Sequence, residues 1–185
     1  ITQVLESLKN PYNTYLINIM GTINFLENIR LINKKIIFVY SSSDKAYGEL
    51  KRDKEYKETD ALDSVYPYDV SKTSSDLICQ SYSKTYLMKV GIIRCGNIYG
   101  PGDFNLKRLI PEVILLTIAK KNFVIRSNGK STRDYVYVED VVDAYIKLFN
   151  KLKTSKNNLK IYNVSSKFNY SVKKIVKMIL KIMNK

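Results

Sequence analysis

Tyr68 and Lys72 stand four residues apart in the stretch 66–72 (YPYDVSK), a spacing that puts both side chains on one face of a helix, one turn apart. A tyrosine hydroxyl, with an ordinary pKa of about 10, serves as a base near neutrality only where a nearby cation favours the phenolate, and Lys72 is placed to supply it. In a chain with 15 Tyr such a pair also arises by chance, as a surface tyrosine beside a solvated lysine, so the surroundings carry the weight. Upstream, the run 35–41 (KIIFVYS) leads into Ser43, Asp44 and Lys45, which offer a hydroxyl, a carboxyl and an amine. Downstream, the run 89–94 (KVGIIR) leads into Asn97, Tyr99 and Gly100. Both runs are short and rich in β-branched residues, the pattern of strands buried in a parallel sheet, whose carboxyl ends are where open α/β sheets hold ligands. The two strand ends and the helix between them are therefore expected to converge on one crevice, where the Ser43 hydroxyl can share a proton with the oxygen that Tyr68 serves.

The composition narrows the chemistry. The chain has 185 residues, 45% hydrophobic and 26% charged, which is globular and excludes disordered and fibrous classes. It has no histidine, and Cys79 and Cys95 lie among apolar or small neighbours as expected buried thiols. Zinc sites of the usual Cys/His type, Ser-His-Asp catalysis and Cys-His catalysis are thereby excluded, and no metal site is expected. The net charge of +14 suggests nucleic acid at first sight, but +11 of it falls in residues 144–185, with eleven lysines and no acid. Of 31 bases, 25 are lysine, and Lys, Ile, Asn and Tyr are all abundant, a bias that AT-rich codon usage produces without selection on charge. No nucleic-acid partner is expected. Neither a long apolar run nor a signal-peptide pattern is present, so the expectation is a cytoplasmic protein without membrane contact. The start at Ile1, already inside a helical pattern, suggests a piece of a longer chain.

The elements that must position these residues alternate between helical and strand periods, as in an α/β domain. Asn10 and Pro11 start a long amphipathic helix running to about Leu31. The strand at 35–41 is followed by polar loop over 42–64, a helix over 66–86, the strand at 89–94 and a glycine-bearing loop over 95–105 (CGNIYGPGDFN). A helix over 109–120, a strand at 123–126, a turn at Asn128-Gly129, a strand at 134–138 and a helix over 139–152 come next. A strand at 160–164 and a helix starting at Ser171, with lysines on its polar face, complete the pattern. There is no internal repeat and no evident linker.

Six segments in order, NPYNTYLINIMGT, SSSDKAYGE, YPYDVSK, RCGNIYGPGDFN, RDYVYVEDVVDAY and YNVSS, make the chain resemble the extended short-chain dehydrogenase/reductase family, in particular its NAD-dependent nucleotide-sugar epimerases and 4,6-dehydratases. The resemblance spans essentially the whole chain and is nearest to CDP-glucose 4,6-dehydratase-like proteins. It implies a Rossmann-like parallel sheet with a small α/β substrate domain, NAD as cofactor, a nucleotide-diphosphate sugar as substrate, a role in carbohydrate biosynthesis and a homodimer formed through two helices. By the same resemblance Tyr68 is the base, Lys72 binds the nicotinamide ribose, and Ser43 holds the reacting oxygen. Ser41 and Cys95 join Tyr68 and Lys72 around the cofactor, Asn97, Arg108 and Arg133 bind the sugar or its diphosphate, and Asn18 supports the site from behind.

Which reaction follows turns on the pair after Ser43. A 4-epimerase needs only reversible hydride transfer at C4, whereas a 4,6-dehydratase must also expel the C6 hydroxyl with an acid and remove the C5 proton with a base. Asp44-Lys45 resembles the dehydratase pattern, with Asp44 as acid. Lys45 is expected to be catalytic, although an amine is a base only when neutral, and an ion pair or a substrate contact are the other readings. The alternatives are a 4-epimerase of the same family, an inactive relative, and a non-catalytic basic module. The glycine-rich turn that cradles the NAD pyrophosphate in the family is missing, so residues 1–105 read as a partial NAD-binding domain and 106–185 as a mixed segment of partial substrate domain and returning strands. Such a piece is expected to be poorly stable and inactive alone, with exposed edges at its first strand.

Overall fold

The structure, a computed structural model, describes residues 4–48, 55–166 and 168–184. The chain forms two compact units: Ile1–Cys95 with Val142–Val164, and Gly96–Val141 with Ser165–Lys185. The boundary between residues 105 and 106 read from the sequence thus lies within the second unit, because the chain leaves the first as soon as its second strand ends and returns through a helix.

In the first unit, α1 (Val4–Lys9) and α2 (Pro11–Tyr15) lead through a π-helical turn (Leu16–Met20) into α3 (Gly21–Ile32). The Asn10 side chain accepts from the Asn13 N–H at 3.4 Å with Pro11 at the first helical position, the cap its residue types predict. β1 (Phe38–Ser43) ends in a short 3-10 helix (Asp44–Tyr47), and α4 (Pro67–Tyr86) leads to β2 (Val90–Cys95). β1, β2 and β5 (Leu159–Val164) form a parallel sheet in the order β1-β2-β5. Only β2, flanked on both sides, is buried along its whole length; β1 lies at the sheet edge and starts later than expected, so the reading of it as buried on both faces is corrected. Val90 and Ile92 pack with Leu26, Tyr40, Cys79 and Met88 beneath α3 and α4. On the opposite face α6 (Val138–Thr154) presses so close that a Cβ on Gly91 would lie 2.8 Å from Leu148. Helices on both faces of β2 follow from a strand apolar on both sides. The polar loop read over 42–64 is described except for 49–54, which lie outside the described residues.

The second unit holds β3 (Asn97–Tyr99) parallel to β4 (Thr132–Tyr137), and β6 (Asn169–Ser171) antiparallel to β4. α5 (Leu109–Ile118) and α7 (Val172–Ile182) pack together, and the Ser171 hydroxyl accepts from the Lys174 N–H at 3.2 Å, capping α7. Two expectations are corrected here. The glycine-bearing stretch read as loop contains β3, and the strand read at 123–126 does not form: Val124 is exposed and Arg126 turns to pair with Glu112. A short apolar run becomes a strand only where a neighbour accepts its ladder.

Candidate active site

In register, Ser43 lies beside Cys95, so the carboxyl ends of β1 and β2 finish at one level. Helix α4 carries Tyr68 and Lys72 one turn apart against this edge. The Lys72 ammonium donates to the Ser41 carbonyl at 2.5 Å and stands 4.9 Å from the centre of the Tyr40 ring. Burial lowers the Lys72 pKa from its ordinary value, against the opposing pull of Cys79 and Asp76. Tyr40 is pushed up by burial, and Tyr145, from α6, is pushed up by burial with the Ser41 hydroxyl pulling it back and the buried Cys95 thiol adding to the rise.

The first turn of α4 is braced from behind. A π turn loosens the regular carbonyl pairing of a helix, and within it the Asn18 carbonyl accepts from Thr22 Oγ1 at 2.7 Å and Ser75 Oγ at 3.0 Å. Asn18 Nδ2 donates to Ser71 Oγ at 2.9 Å, and Ser71 Oγ donates to the Tyr68 carbonyl at 2.7 Å. Asn18 is therefore two hydrogen bonds from the backbone of Tyr68.

At the end of β1, Ser43 Oγ donates to Asp44 Oδ1 at 3.0 Å and accepts from the Lys45 N–H at 3.2 Å. The 3-10 helix bearing Asp44 and Lys45 stops at Gly48, whose φ of 81° and approach to Asp63 leave a Cβ only 1.9 Å from the Asp63 carbonyl oxygen. Only glycine fits there. Thr73 Oγ1 donates to the Ala46 carbonyl at 3.1 Å, holding α4 against this turn. Asp69, adjacent to Tyr68, is 5% exposed, and its Oδ1 has no hydrogen-bond partner among the described residues. Burial raises its pKa, with Lys45 pulling it down and Asp44 pushing it up.

The remaining predicted residues fall in the second unit. Asn97 Nδ2 donates to the Asp134 carbonyl at 3.3 Å. Arg108 pairs with Asp103 at 2.9 Å and donates to the Ile98 carbonyl. Asn97, Asp103, Arg108 and Tyr135 line a cavity of about 120 Å³. Arg133 is exposed and bonds the Thr132 carbonyl at 3.0 Å, outside that lining. Both arginines nevertheless act on Tyr135, whose pKa rises by burial against their pull. The first unit thus gathers Ser41, Ser43, Asp44, Lys45, Tyr68, Lys72 and Cys95, and the second gathers Asn97 and Arg108. Sequence reading missed Tyr40, Asp69, Tyr135 and Tyr145. Asp69 lies inside the YPYDVSK motif, and a carboxyl beside Tyr68 was a usable signal. The tyrosines had none among 15.

A parallel sheet between helices, with a Tyr-Lys pair beside the strand ends, defines a Rossmann-type α/β protein of the dehydrogenase/reductase kind. The chain belongs to the NAD dependent epimerase/dehydratase family, whose model matches residues 1–165. It is 31% identical to a dTDP-D-glucose 4,6-dehydratase of Dictyostelium discoideum over 98% of this chain and 43% of that protein. It is 30% identical to a trifunctional UDP-glucose 4,6-dehydratase, epimerase and reductase of Arabidopsis thaliana over 99% of this chain and 27% of that protein. Among solved structures, dTDP-glucose 4,6-dehydratase from Bacillus anthracis in complex with NAD superposes with a TM-score of 0.83 at 29% identity, covering 92% of this chain and 53% of that one. UDP-glucose 4-epimerase with UDP-glucose from Thermotoga maritima gives 0.87 at 25% identity, covering 98% and 58%. The chain spans less than half the length of those two curated relatives. Among the described residues no helix is long and apolar enough to cross a membrane.

Proposed function

We propose that the protein is an NAD-dependent nucleotide-sugar 4,6-dehydratase. The observation that carries this reading is the hydrogen-bonded Ser43-Asp44 pair at the end of β1, on the sheet edge where Lys72 meets Ser41. The donor set fits the cofactor: an ammonium has three N–H donors, of which the Ser41 carbonyl takes one, leaving donors for ribose hydroxyls. NAD, when bound, supplies the acceptor for the C4 hydride and its donor to C6, and so is regenerated in each turnover. Tyr68 takes the proton of the C4 hydroxyl, Lys72 favours the phenolate, and Ser43 hydrogen-bonds the same oxygen. Asp44 gives its proton to the departing C6 hydroxyl, which leaves as water, while a base takes the C5 proton; once that proton returns to Asp44, the net loss is one water. Asn97, Arg108 and Arg133 receive the sugar diphosphate. The dehydratase names of the relatives support this reading of Asp44-Lys45.

The test is product analysis by mass spectrometry and NMR after incubation with NAD and each of CDP-, dTDP- and UDP-glucose. Loss of one water to a 4-keto-6-deoxy sugar is expected, and Asp44→Asn should stop water loss while NADH absorbance still reports C4 oxidation. A 4-epimer of unchanged mass would make the protein an epimerase, the reading favoured by its likeness to the solved 4-epimerase. Exposed Ile17, Phe25 and Leu77 on the α2–α3 and α4 helices support a homodimer, which sedimentation tests. The cytoplasm, where free thiols such as Cys79 and Cys95 persist, is the proposed location.

A further inference from the structure

Arg94 is the charged side chain of RCGNIYG that the proposed chemistry leaves unused, and it is 3% exposed. Stability alone does not account for it, since exchanging a buried ion pair for apolar side chains of similar volume is often neutral or stabilising. What an apolar pair lacks is direction. The guanidinium is a rigid planar fork of five N–H donors, and its bonds run two ways. Nε and Nη2 donate to the two carboxylate oxygens of Asp76, at 2.9 and 3.0 Å. Nη1 donates to Tyr47 Oη at 2.7 Å and to the Glu58 carbonyl at 3.2 Å.

Each branch ends on a segment that carries site residues. Tyr68, Lys72 and Asp76 follow one another at intervals of four along one side of α4, and Asp76 Oδ2 also accepts from the hydroxyl of Ser42, the neighbour of Ser43, at 2.7 Å. Tyr47 closes the 3-10 helix that opens with Asp44 and Lys45, and its hydroxyl donates to Asn163 Oδ1 of β5 at 2.8 Å. Thr73 ties α4 to this turn at the Ala46 carbonyl, but a single hydrogen bond leaves the turn free to pivot. The Arg94 fork supplies the second tie. We propose that Arg94 is a positioning residue that fixes Asp44 relative to Tyr68, so that oxidation at C4 and loss of the C6 hydroxyl proceed on one bound sugar without rearrangement of the site. The proposal rests on the dehydratase reading for its catalytic consequence, whereas the link between α4 and the 3-10 helix does not.

The test compares Arg94→Met/Asp76→Leu and Tyr47→Phe with the parent in turnover of CDP-, dTDP- and UDP-glucose with NAD, in denaturant unfolding and in amide hydrogen exchange. The double variant removes both charges and keeps the volume. It should hold most of the parent's stability yet lower kcat roughly a hundredfold with KM little changed, a split that a merely structural pair would not produce. Tyr47→Phe keeps the Arg94–Asp76 pair and cuts the other branch, so water loss should slow several-fold while NADH absorbance reports C4 oxidation at the parent rate. In both variants the amides of residues 44–48, among them the Gly48 N–H bonded to the Lys45 carbonyl at 3.1 Å, should exchange faster than in the parent. Parent kcat in the double variant, or unchanged exchange over 44–48, would overturn the proposal. Should the double variant not fold, Tyr47→Phe decides by its slowed water loss and its exchange. If the parent turns over no nucleotide sugar, the dehydratase reading fails, and exchange over 44–48 still decides the link.

Discussion

Helix α4 carries two acidic side chains into the interior of the first unit, and the surroundings treat them in opposite ways. Asp76 Oδ2 accepts from Arg94 Nε at 2.9 Å and Ser42 Oγ at 2.7 Å, and Oδ1 accepts from Arg94 Nη2 at 3.0 Å and Gln80 Nε2 at 2.8 Å. Arg94, 3% exposed, passes the network on through Tyr47 Oη at 2.7 Å, and Tyr47 donates to Asn163 Oδ1 at 2.8 Å. The network ties together α4, the ends of β1 and β2, and β5. Asp69, two turns earlier on the same helix, has its Oδ1 unpaired among the described residues and only charges for company. Fully bonded groups hold their positions and stiffen the scaffold, whereas a buried carboxyl left short of donors is a candidate for chemistry.

Four measurements press on that contrast. The largest effect is expected from Tyr68→Phe, which should lower kcat roughly a hundred- to ten-thousand-fold and leave the unfolding midpoint in place; a comparable loss of stability would erase the distinction between the clusters. Arg94→Met strands the Asp76 carboxylate and should cost about 3–5 kcal/mol in denaturant unfolding, while Arg94→Met/Asp76→Leu should recover most of that. Asn18→Ala removes the bond to Ser71 and should cost about 1 kcal/mol of stability, with a several-fold fall in kcat because the Tyr68 turn loses its brace.

The smallest effect concerns pH. The folded state raises the Asp69 pKa above its unfolded value, so native protein binds a proton in the interval between the two. The contribution of this group to stability is full below the unfolded value and is lost as pH rises through the folded one. Asp69→Asn should therefore flatten the fall in stability from mildly acidic to neutral pH, measured as denaturant midpoints across that range. An unchanged slope would place Asp69 among ordinary solvated acids.

Much of the candidate site was legible because it depends on local periods. The helical spacing of Tyr68 and Lys72, the caps at Asn10 and Ser171, and the short β-branched runs that became β1 and β2 are decided within a few residues by backbone geometry. The short strand at 97–99 and the failed strand at 123–126 escaped because a strand exists only if a distant segment accepts its hydrogen bonds. Arg94 and Asp76 looked unremarkable in sequence, since nothing local announces a partner 18 residues away, still less the 116 residues between Tyr47 and Asn163.

The sequence by itself determined the family and the parallel-sheet class and singled out Tyr68, Lys72, Ser43 and Asp44 as the candidates for chemistry, because residue type and helical or strand period are local properties. Only the tertiary structure decided which carboxyl is saturated and which is left open: Asp69 and Asp76 are the same residue type on one helix, seven positions apart. What separates them is the set of donors that sheet register and helix packing bring to each, and that is a property of the folded chain alone.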